Sequence, residues 1–515
     1  MNTILNAMKQ MDNITTTENG GVTYKSTMSG LMDLFAMGAA YRKRSEDDVI
    51  FLFDKAFKED ETYALKCLFY LRDVRGGQGE RRFFRVATKW LANHHTDAMR
   101  RNLKYVPEFG RWDDLYVFVG TPLEDEAFDI MYHQLALDVE CKTPSLLAKW
   151  LKSENTSSAE SRKLATITRT HFRMTPRQYR KTLSVLRKRI KVLERLMSEN
   201  RWDEIEFDKI PSKAGLIYRN AFARHDIMRE KADKQTYAEF AKSTDTKVNA
   251  KALNPCEVVH EAVKLSRAYH ADDTDRLMIG KYWDNLADYF HDAVFNGVAV
   301  VDTSASMTGG FNEINPIDVA ISLGMYCAEK CNESSPWYGH YITFSRQARL
   351  VPVEGIDFVD KVHRIYSKNL CENTNIKSVF DLILKLAIEN GVKQEDMPKN
   401  VIVISDMEFD SCASFDDNYG YWSRYNRDTK SEMEKIADIW KAHGYELPKL
   451  VFWNVQARQD NIPMRDNGRV TFVSGYSPVL FEQIMTGKTG IDLILDKLNS
   501  QRYAVIHRSE ERRVG

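Results

Sequence analysis

An apolar run that ends in an aspartate is the feature that most constrains how this 515-residue chain can fold. Residues 298–301 are Val-Ala-Val-Val, and Asp302, Ser304 and Ser306 follow at alternate positions. A run that is apolar at every position predicts a parallel strand buried on both faces. Polar residues at the carboxyl end of such a strand lie where open α/β sheets bind ligands. One carboxylate and two hydroxyls are hard oxygen ligands, so the pattern predicts a site for Mg²⁺ or Ca²⁺.

Two distant segments strengthen this prediction. Residues 400–406 form a second buried-strand pattern, which ends in Asp406, and Glu408 follows it. Thr374 lies in a polar turn just before a helix predicted over residues 376–390. Serine and aspartate after a strand also serve as ordinary helix N-caps, and this is the alternative interpretation of the first loop.

The three loops together resemble the metal-ion-dependent adhesion site of von Willebrand factor A domains. The first loop matches that site completely. In the second loop, the glycines usual before the threonine are replaced by Cys371, Glu372 and Asn373. The resemblance implies Mg²⁺, Ca²⁺ or Mn²⁺ as the cation and the following ligands: Asp302, Ser304, Ser306, Thr374 and Asp406.

The net charge of zero hides an asymmetry between the two parts of the chain. Residues 1–290 carry 48 Lys and Arg against 42 Asp and Glu, whereas residues 291–515 carry 25 against 31. Within the first part, residues 161–201 hold thirteen basic residues and only two acidic ones. Such a block predicts a surface that binds polyanions, with a solvated helix face as the alternative.

Two groups of basic residues are the candidates for RNA binding. For Arg72, Arg111 and Lys149, the alternative is a structural ion pair with Asp73, Asp113 or Asp114. The first group is Arg162, Lys163, Arg187, Lys188, Arg189 and Lys191, and the second is Arg72, Arg75, Arg81, Arg82, Arg111, Lys149 and Lys152.

The sequence pattern predicts helices over nearly all of the first 290 residues. Apolar residues recur at helical spacing, as in the segment 49–57, and Gly- or Pro-containing turns separate the segments. Thr175 and Pro176 predict a helix start, with the threonine as N-cap. This pattern predicts a helical bundle or solenoid without a fixed-period repeat.

Residues 291–505 alternate between strand and helix patterns, which predicts a doubly wound α/β domain. A charged tail is expected over residues 506–515. The predicted strands cover 298–302, 341–345, 350–353, 401–405, 450–454 and 470–473, and the predicted helices cover 318–331, 376–390, 430–443, 478–485 and 491–498.

Several segments along the chain resemble the Ro (TROVE) ribonucleoproteins and, more closely, a little-characterised Ro-related family with the same layout. That resemblance implies a ring of HEAT-like helix pairs closed by a C-terminal von Willebrand factor A domain. It also implies RNA as the partner, either as single-stranded ends or as small structured RNA. The segments are residues 18–20, 33–35, 72–77, 79–81, 110–115, 148–151, 211–214 and 450–454.

Enzyme motifs are absent from the sequence. Asp302-Thr303 begins like the motif of haloacid-dehalogenase phosphatases, but Ser304 stands where those enzymes need a second acid. The chain has no phosphate-binding Gly-x-x-x-x-Gly-Lys-[Ser/Thr] loop, no Gly-x-Ser-x-Gly elbow and no His-Glu-x-x-His pair. It also lacks an apolar run of about 20 residues and a signal-peptide pattern, so no membrane association is expected. The seven cysteines show no Cys-x-x-Cys spacing, which favours reduced thiols in the cytoplasm.

The sequence therefore predicts a non-enzymatic, RNA-binding scaffold with a divalent-cation site in its C-terminal domain. One alternative is a protein-interaction scaffold in which the metal captures a carboxylate of the partner. Another is a metal-dependent nuclease or phosphatase, for which Glu408 and Asp410 are the available second carboxylates.

Overall fold

The chain folds into two compact units. The computed structural model describes residues 3–268, 272–291, 295–310, 313–368, 373–411 and 430–508. The sheet unit comprises residues 1–60 and 253–500, and the helical unit comprises residues 61–252 and 501–515.

The sheet unit contains a six-stranded mixed sheet and a two-stranded hairpin. The hairpin is antiparallel, and its two strands are joined by the turn Thr17–Gly21. The strands are β1 (Ile14–Thr16), β2 (Val22–Tyr24), β3 (Gly297–Asp302), β4 (His340–Phe344), β5 (Ala348–Pro352), β6 (Asn400–Ser405), β7 (Lys449–Asn454) and β8 (Val470–Ser474).

The order of strands in the large sheet is β5-β4-β3-β6-β7-β8. Only β5 is antiparallel to its neighbour, and the other pairs are parallel. All six residues of β3 are buried, as expected of a central strand whose residues are apolar up to its last position. The chain passes from β3 to β4 on one side and later to β6 on the other, so the order reverses at β3. In open α/β sheets a crevice for ligands forms at such a point.

The helices of the sheet unit bury an apolar face or, in one case, every residue. Gly30–Met37 is buried at every position and lies against β8, where the Ser474 hydroxyl donates a 3.0 Å hydrogen bond to the Phe35 carbonyl. Pro255–Ser266 packs against Pro316–Lys330 and Phe358–Ser367. The helices are Thr3–Asp12, Gly30–Met37, Glu46–Glu59, Pro255–Ser266, Asp273–Asp284, Pro316–Lys330, Phe358–Ser367, Lys377–Glu389, Glu432–Ala442, Leu480–Met485 and Gly490–Leu498.

The helical unit is built from short helices around an aromatic core. Its helix Pro176–Arg189 begins as predicted, because the Thr175 hydroxyl accepts a hydrogen bond from the backbone N–H of Gln178. The helices are Glu61–Arg72, Arg82–His94, Thr96–Asn102, Val106–Phe109, Glu124–Glu140, Leu147–Trp150, Ala159–His171, Pro176–Arg189, Leu193–Ser198, Ser212–Arg224, Asp226–Lys231 and Tyr237–Lys242, with 3-10 turns at Leu103–Tyr105, Trp112–Phe118, Trp202–Glu204, Phe207–Lys209 and Gln501–Tyr503.

The end of the described chain belongs to the helical unit. Tyr503 stacks on Phe109 with ring centroids 5.6 Å apart, and its hydroxyl donates a 3.0 Å hydrogen bond to Asp73. Arg502 also donates to the Asp73 carboxylate. Residues 501–505, predicted as the end of the sheet domain, therefore belong to the helical unit. Of the predicted tail 506–515, residues 509–515 lie outside the described part of the chain.

The mixed architecture, helical followed by α/β, agrees with the predicted fold class. The compact units nevertheless differ from the predicted domains 1–290 and 291–505, because residues 1–60 and 253–290 belong to the sheet unit. Their helices bury apolar faces against elements of the sheet domain that are distant in sequence, and periodicity alone cannot show such packing. The hairpin of β1 and β2 and the helix Phe358–Ser367 were also not predicted. Within the described residues, no helix is both long enough and apolar enough to cross a membrane.

Candidate metal-binding site at the carboxyl edge of the sheet

Two of the predicted ligands follow adjacent strands. β3 and β6 are parallel neighbours in which Val301 pairs with Ile404. Asp302 is the last residue of β3, and Asp406 comes directly after β6. Because the register brings both strands to an end at the same edge, the two carboxylates lie close enough for their charges to interact. They are 0% and 1% exposed.

The Asp302 carboxylate is held in place from both of its oxygens. Oδ1 accepts a 2.9 Å hydrogen bond from the backbone N–H of Ser304, and Oδ2 accepts a 2.6 Å bond from the hydroxyl of Ser405. The 3-10 turn Ala305–Met307 brings the hydroxyls of Ser304 and Ser306 within 3.0 Å of each other. The Ser304 hydroxyl makes no capping bond to this turn, so the N-cap alternative does not hold for its side chain.

Only one of the two carboxylate oxygens of Asp406 accepts a hydrogen bond from a described residue. Oδ1 accepts a 3.3 Å hydrogen bond from the backbone N–H of Glu408. Oδ2 is buried and accepts no hydrogen bond from any described residue, although a guanidinium nitrogen of Arg458 lies 3.5 Å away. Burial raises the pKa of Asp406, while Arg458 and then Ser306 lower it. A buried carboxylate oxygen that has an ion pair but no hydrogen bond can still accept a ligand.

Burial, and then the charge of Asp406, raise the pKa of Asp302. Two buried carboxylates that repel each other are stabilised by a cation placed between them. Hydroxyl and carboxylate oxygens are the donors that Mg²⁺ and Ca²⁺ prefer, so these side chains fit such an ion chemically. The described residues contain no group of three or more His, Cys, Asp and Glu side chains suited to a metal. Any cation here would therefore depend on the serine and threonine hydroxyls.

Thr374, the ligand predicted from the second loop, is buried. Its carbonyl accepts a 3.0 Å hydrogen bond from the backbone N–H of Asp410, which ties the loop to the segment after β6. Its hydroxyl accepts a 3.2 Å hydrogen bond from the side-chain amide of Asn19. Cys371 and Glu372, which replace the usual glycines, lie outside the described residues.

Glu408 lies beside the candidate site and is fully engaged. Its Oε2 accepts a 2.8 Å hydrogen bond from the backbone N–H of Glu18, and its Oε1 accepts a 2.8 Å bond from Asn461. Burial raises the pKa of Glu408 to about 7, and the charge of Asp406 adds to the effect. This carboxylate therefore anchors the turn that contains Glu18.

Sequence reasoning missed four residues that contribute to this edge of the sheet. Ser405 precedes Asp406, and its place at the end of a buried strand was a usable signal. Arg458 follows β7, which neighbours β6, so the strand order would have indicated it. Glu18 and Asn19 belong to one of the segments that carry the Ro resemblance, but nothing local to them points to β6.

In the helical unit, some predicted RNA-binding residues are parts of the core. Arg72 is 1% exposed, and its guanidinium lies 2.7 Å from the Asp114 carboxylate. Arg85 donates a 2.7 Å hydrogen bond to the other oxygen of Asp114, and Arg81 lies 4.0 Å from Asp113. The structural alternative considered for Arg72 therefore describes it.

Arg187 is also engaged with the fold. Its guanidinium donates hydrogen bonds of 2.8, 2.8 and 2.9 Å to the carbonyls of Ala148 and Leu151 and to the hydroxyl of Ser153. The neighbouring Lys188 is exposed. Two adjacent residues of the same basic block thus have different surroundings.

The remaining predicted RNA-binding residues fall into an exposed group and a half-buried group. That they bind RNA stays a prediction. A cavity of about 620 Å³ in the helical unit is lined by Lys149 and Arg187 together with Arg180, Arg195, Glu154 and Glu194. The exposed candidates are Arg75, Arg81, Arg162, Lys163, Lys188, Arg189 and Lys191, and the half-buried ones are Arg82, Arg111, Lys149, Lys152 and Arg187.

One similar solved structure is the crystal structure of the Deinococcus radiodurans RO (RSR) protein. Its TM-score is 0.35 at 14% sequence identity, with 89% of this chain and 93% of that chain covered. A similarity at this level carries no argument about the fold or the function of the present chain.

Sequence comparisons are more decisive. Uncharacterized protein L728 of Acanthamoeba polyphaga mimivirus is 31% identical over 519 residues, which cover 93% of this chain and 86% of that protein. Residues 296–513 match the model described as Domain of unknown function (DUF7788). Residues 17–163 and 138–293 match the model described as Domain of unknown function (DUF2828). Since the latter matches span more than half of the chain, this protein belongs to the DUF2828 family.

Proposed function

We propose that this protein is a non-enzymatic, RNA-binding scaffold whose sheet unit is a von Willebrand factor A-type module with one divalent cation. The observation that carries the cation site is the pair of buried carboxylates of Asp302 and Asp406, of which Asp406 Oδ2 lacks a hydrogen bond within the described residues.

The residues that would hold the cation come from all three loops. The carboxylates of Asp302 and Asp406 supply the charge, which hydroxyls cannot do. When bound, a cation held by so few protein carboxylates keeps positions open for an oxygen ligand from another molecule. The hydroxyl ligands are Ser304, Ser306 and Thr374, and Mg²⁺, Ca²⁺ and Mn²⁺ are the candidate ions.

A thermal-melt titration with Mg²⁺, Mn²⁺ and Ca²⁺ tests the cation site. The wild type is expected to gain stability as the cation concentration rises, because a ligand that binds only the folded state stabilises it. Asp302→Ala is expected to lose this response, and Asp396→Ala, which removes an exposed aspartate of the same unit, is expected to keep it. A wild type that shows no cation-dependent shift would contradict the site.

RNA binding is supported by the exposed basic residues of the helical unit. We expect the affinity for single-stranded RNA to fall steeply with salt, because contacts to phosphates release counterions. The variant Lys163→Gln/Lys188→Gln/Lys191→Gln should bind weakly and lose about two units of the log–log salt slope. A charge-matched control, Lys385→Gln/Lys393→Gln/Lys441→Gln, changes exposed lysines of the sheet unit and should bind as the wild type does. Equal loss in both triple variants would exclude a specific surface.

A nuclease or phosphatase is disfavoured because Glu408, one of the two candidate second carboxylates, is held by hydrogen bonds. Two-metal hydrolysis needs a second set of carboxylates close to the first. Both oxygens of Glu408 already accept hydrogen bonds, from Glu18 and Asn461. Incubation of labelled single-stranded and structured RNA with Mg²⁺ or Mn²⁺ should give no products. If the wild type cleaves RNA and Asp302→Ala does not, the protein is a metal-dependent enzyme, and the proposal of a non-enzymatic scaffold is wrong.

A further inference from the structure

The turn that joins β1 and β2 is fastened to the segment after β6. The Thr17 hydroxyl donates a 2.6 Å hydrogen bond to the carbonyl of Phe409, and Gly20 forms a bridge with Asp410. At Gly21 an added Cβ would lie 2.5 Å from the Phe409 carbonyl oxygen. The turn, Thr17–Gly21, is therefore seated with backbone against backbone, and only glycine fits at its last position.

The same turn reaches a proposed ligand of the cation. The side-chain amide of Asn19 donates to the hydroxyl of Thr374 at 3.2 Å and to the carbonyl of Glu408 at 2.5 Å. One amide thus connects the second loop of the candidate site with the third. A molecule that approaches the Thr374 hydroxyl from solution has to replace this contact.

Glu18, a residue of the turn, also places its carboxylate near the candidate site. Glu18 lies 3.2 Å from Arg458, whose other terminal nitrogen lies 3.5 Å from the orphaned Oδ2 of Asp406. Arg458 also donates a hydrogen bond to the backbone carbonyl of Ser306. Glu18 and Arg458 are partly exposed, at 42% and 30%. The chain itself therefore supplies an acidic side chain and a cationic one beside the candidate metal ligands.

We propose that the turn Thr17–Gly21 is an internal ligand of this site, and that it competes with an acidic segment of a partner protein. This inference rests on the proposed cation site. The partner segment needs the chemistry that the turn displays, which is a carboxylate followed directly by an amide. The site is then occupied in cis until such a segment displaces the turn.

The test uses the full-length protein and a fluorescent peptide with the sequence of residues 14–24, followed by polarisation in Mg²⁺ and in EDTA. The wild type is expected to bind the peptide weakly. Gly21→Ala should bind it about tenfold more tightly, which is the gain when the open fraction rises from about a tenth to nearly all. Gly280→Ala is the matched control, because its Cβ would meet only an ordinary contact at 3.7 Å.

Two further measurements separate a cis ligand from a general loss of structure. Full-length Glu18→Gln, which removes the charge opposite Arg458 and adds no bulk, should also bind the peptide more tightly than the wild type does. A peptide in which Glu18 is replaced by glutamine should not bind any variant in Mg²⁺.

The outcomes distinguish this inference from the proposed function. A wild type without a cation-dependent thermal shift contradicts the cation site itself. A clear shift, together with equal peptide affinity in the wild type, Gly21→Ala and Glu18→Gln, overturns only the cis ligand. Peptide binding that is as strong in EDTA as in Mg²⁺ also overturns it.

Discussion

The two units place their buried charges in opposite ways. In the sheet unit, Asp302 and Asp406 are both buried, and the negative charge of Asp406 raises the pKa of Asp302. In the helical unit, the carboxylate of Asp114 lies between the guanidinium groups of Arg72 and Arg85 and is neutralised by them. Buried opposite charges that satisfy one another serve the fold, whereas buried like charges with an oxygen that lacks a hydrogen bond are typical of a site for a ligand.

The contrast recurs on a smaller scale in the basic block. The Arg187 guanidinium donates hydrogen bonds to two carbonyls and a hydroxyl of residues 148–153, whereas Lys188 is exposed to solvent. Both residues lie in the same basic stretch of the sequence, so the sequence pattern does not distinguish them. The difference shows that a basic run predicts a polyanion surface only for those members whose donors the fold leaves available.

The largest expected effect comes from breaking the neutralised cluster of the helical unit. Asp114→Ala should lower the free energy of unfolding by about 3–5 kcal/mol, because Arg72 is left buried without its counter-charge. Asp97→Ala, which removes the 76% exposed partner of Arg100, should cost about 0–1 kcal/mol. Urea unfolding measures both. If the two losses are similar, Asp114 does not have the structural role assigned to it.

Arg187→Ala should have the next largest effect. Loss of a charged donor that satisfies two carbonyls and a hydroxyl should cost about 2 kcal/mol. Arg187→Lys keeps the charge but lacks the forked donors, so most of that loss should persist. Urea unfolding and RNA titration of the lysine variant together sharpen the comparison. Full stability in Arg187→Lys would show that charge alone matters at this position.

Asp302→Asn is expected to stabilise the protein in EDTA. The variant keeps an acceptor for Ser304 and removes the repulsion with Asp406, a gain of roughly 1–2 kcal/mol near pH 8. The pKa of Asp302 is raised in the folded state, so the folded wild type binds more protons than the unfolded chain and becomes relatively more stable as pH falls. The advantage of the variant should therefore shrink near pH 5. Denaturant melts at both pH values test this.

A variant that is less stable than the wild type at both pH values would contradict the repulsion. In that case the hydrogen bond from Ser405 to Asp302 would be the dominant interaction. The same variant should have no thermal response to Mg²⁺, which keeps the effect of repulsion separate from the effect of ligand binding.

The smallest effect on stability is expected for Lys188→Ala. An exposed side chain of this kind should change the free energy of unfolding by less than about 0.5 kcal/mol. Its loss should nevertheless reduce the log–log salt slope of RNA binding by about 0.7, the value for one phosphate contact on a single strand. An unchanged slope would remove Lys188 from the proposed RNA surface.

Strand ends were the most predictable part of the molecule. The strand predicted over 401–405 is Asn400–Ser405 in the structure, and β3 ends at Asp302 as expected. Parallel pairing then places Asp302 and Asp406 at one edge without further information. That these residues bind a cation stays a prediction.

Other parts could not be predicted because they depend on contacts between distant residues. β1 and β2 have three residues each, too few for a periodic signal, and their turn is anchored by residues 408–410. The helix Phe358–Ser367 does show apolar residues at helical spacing, so its omission was avoidable. The burial of Arg72 depends on Asp114, and nothing in the local pattern distinguishes it from an exposed arginine.

The packing of helix Gly30–Met37 against β8 has a consequence for biosynthesis. The carbonyl of Phe35 and the hydroxyl of Ser474 that meet there are 439 residues apart. At about 5–20 residues per second, a ribosome makes the helix on the order of tens of seconds before its docking strand exists. Throughout that interval the helix, which is buried at every position in the folded protein, lacks the strand that covers it, so its apolar side chains are available for contacts with other molecules.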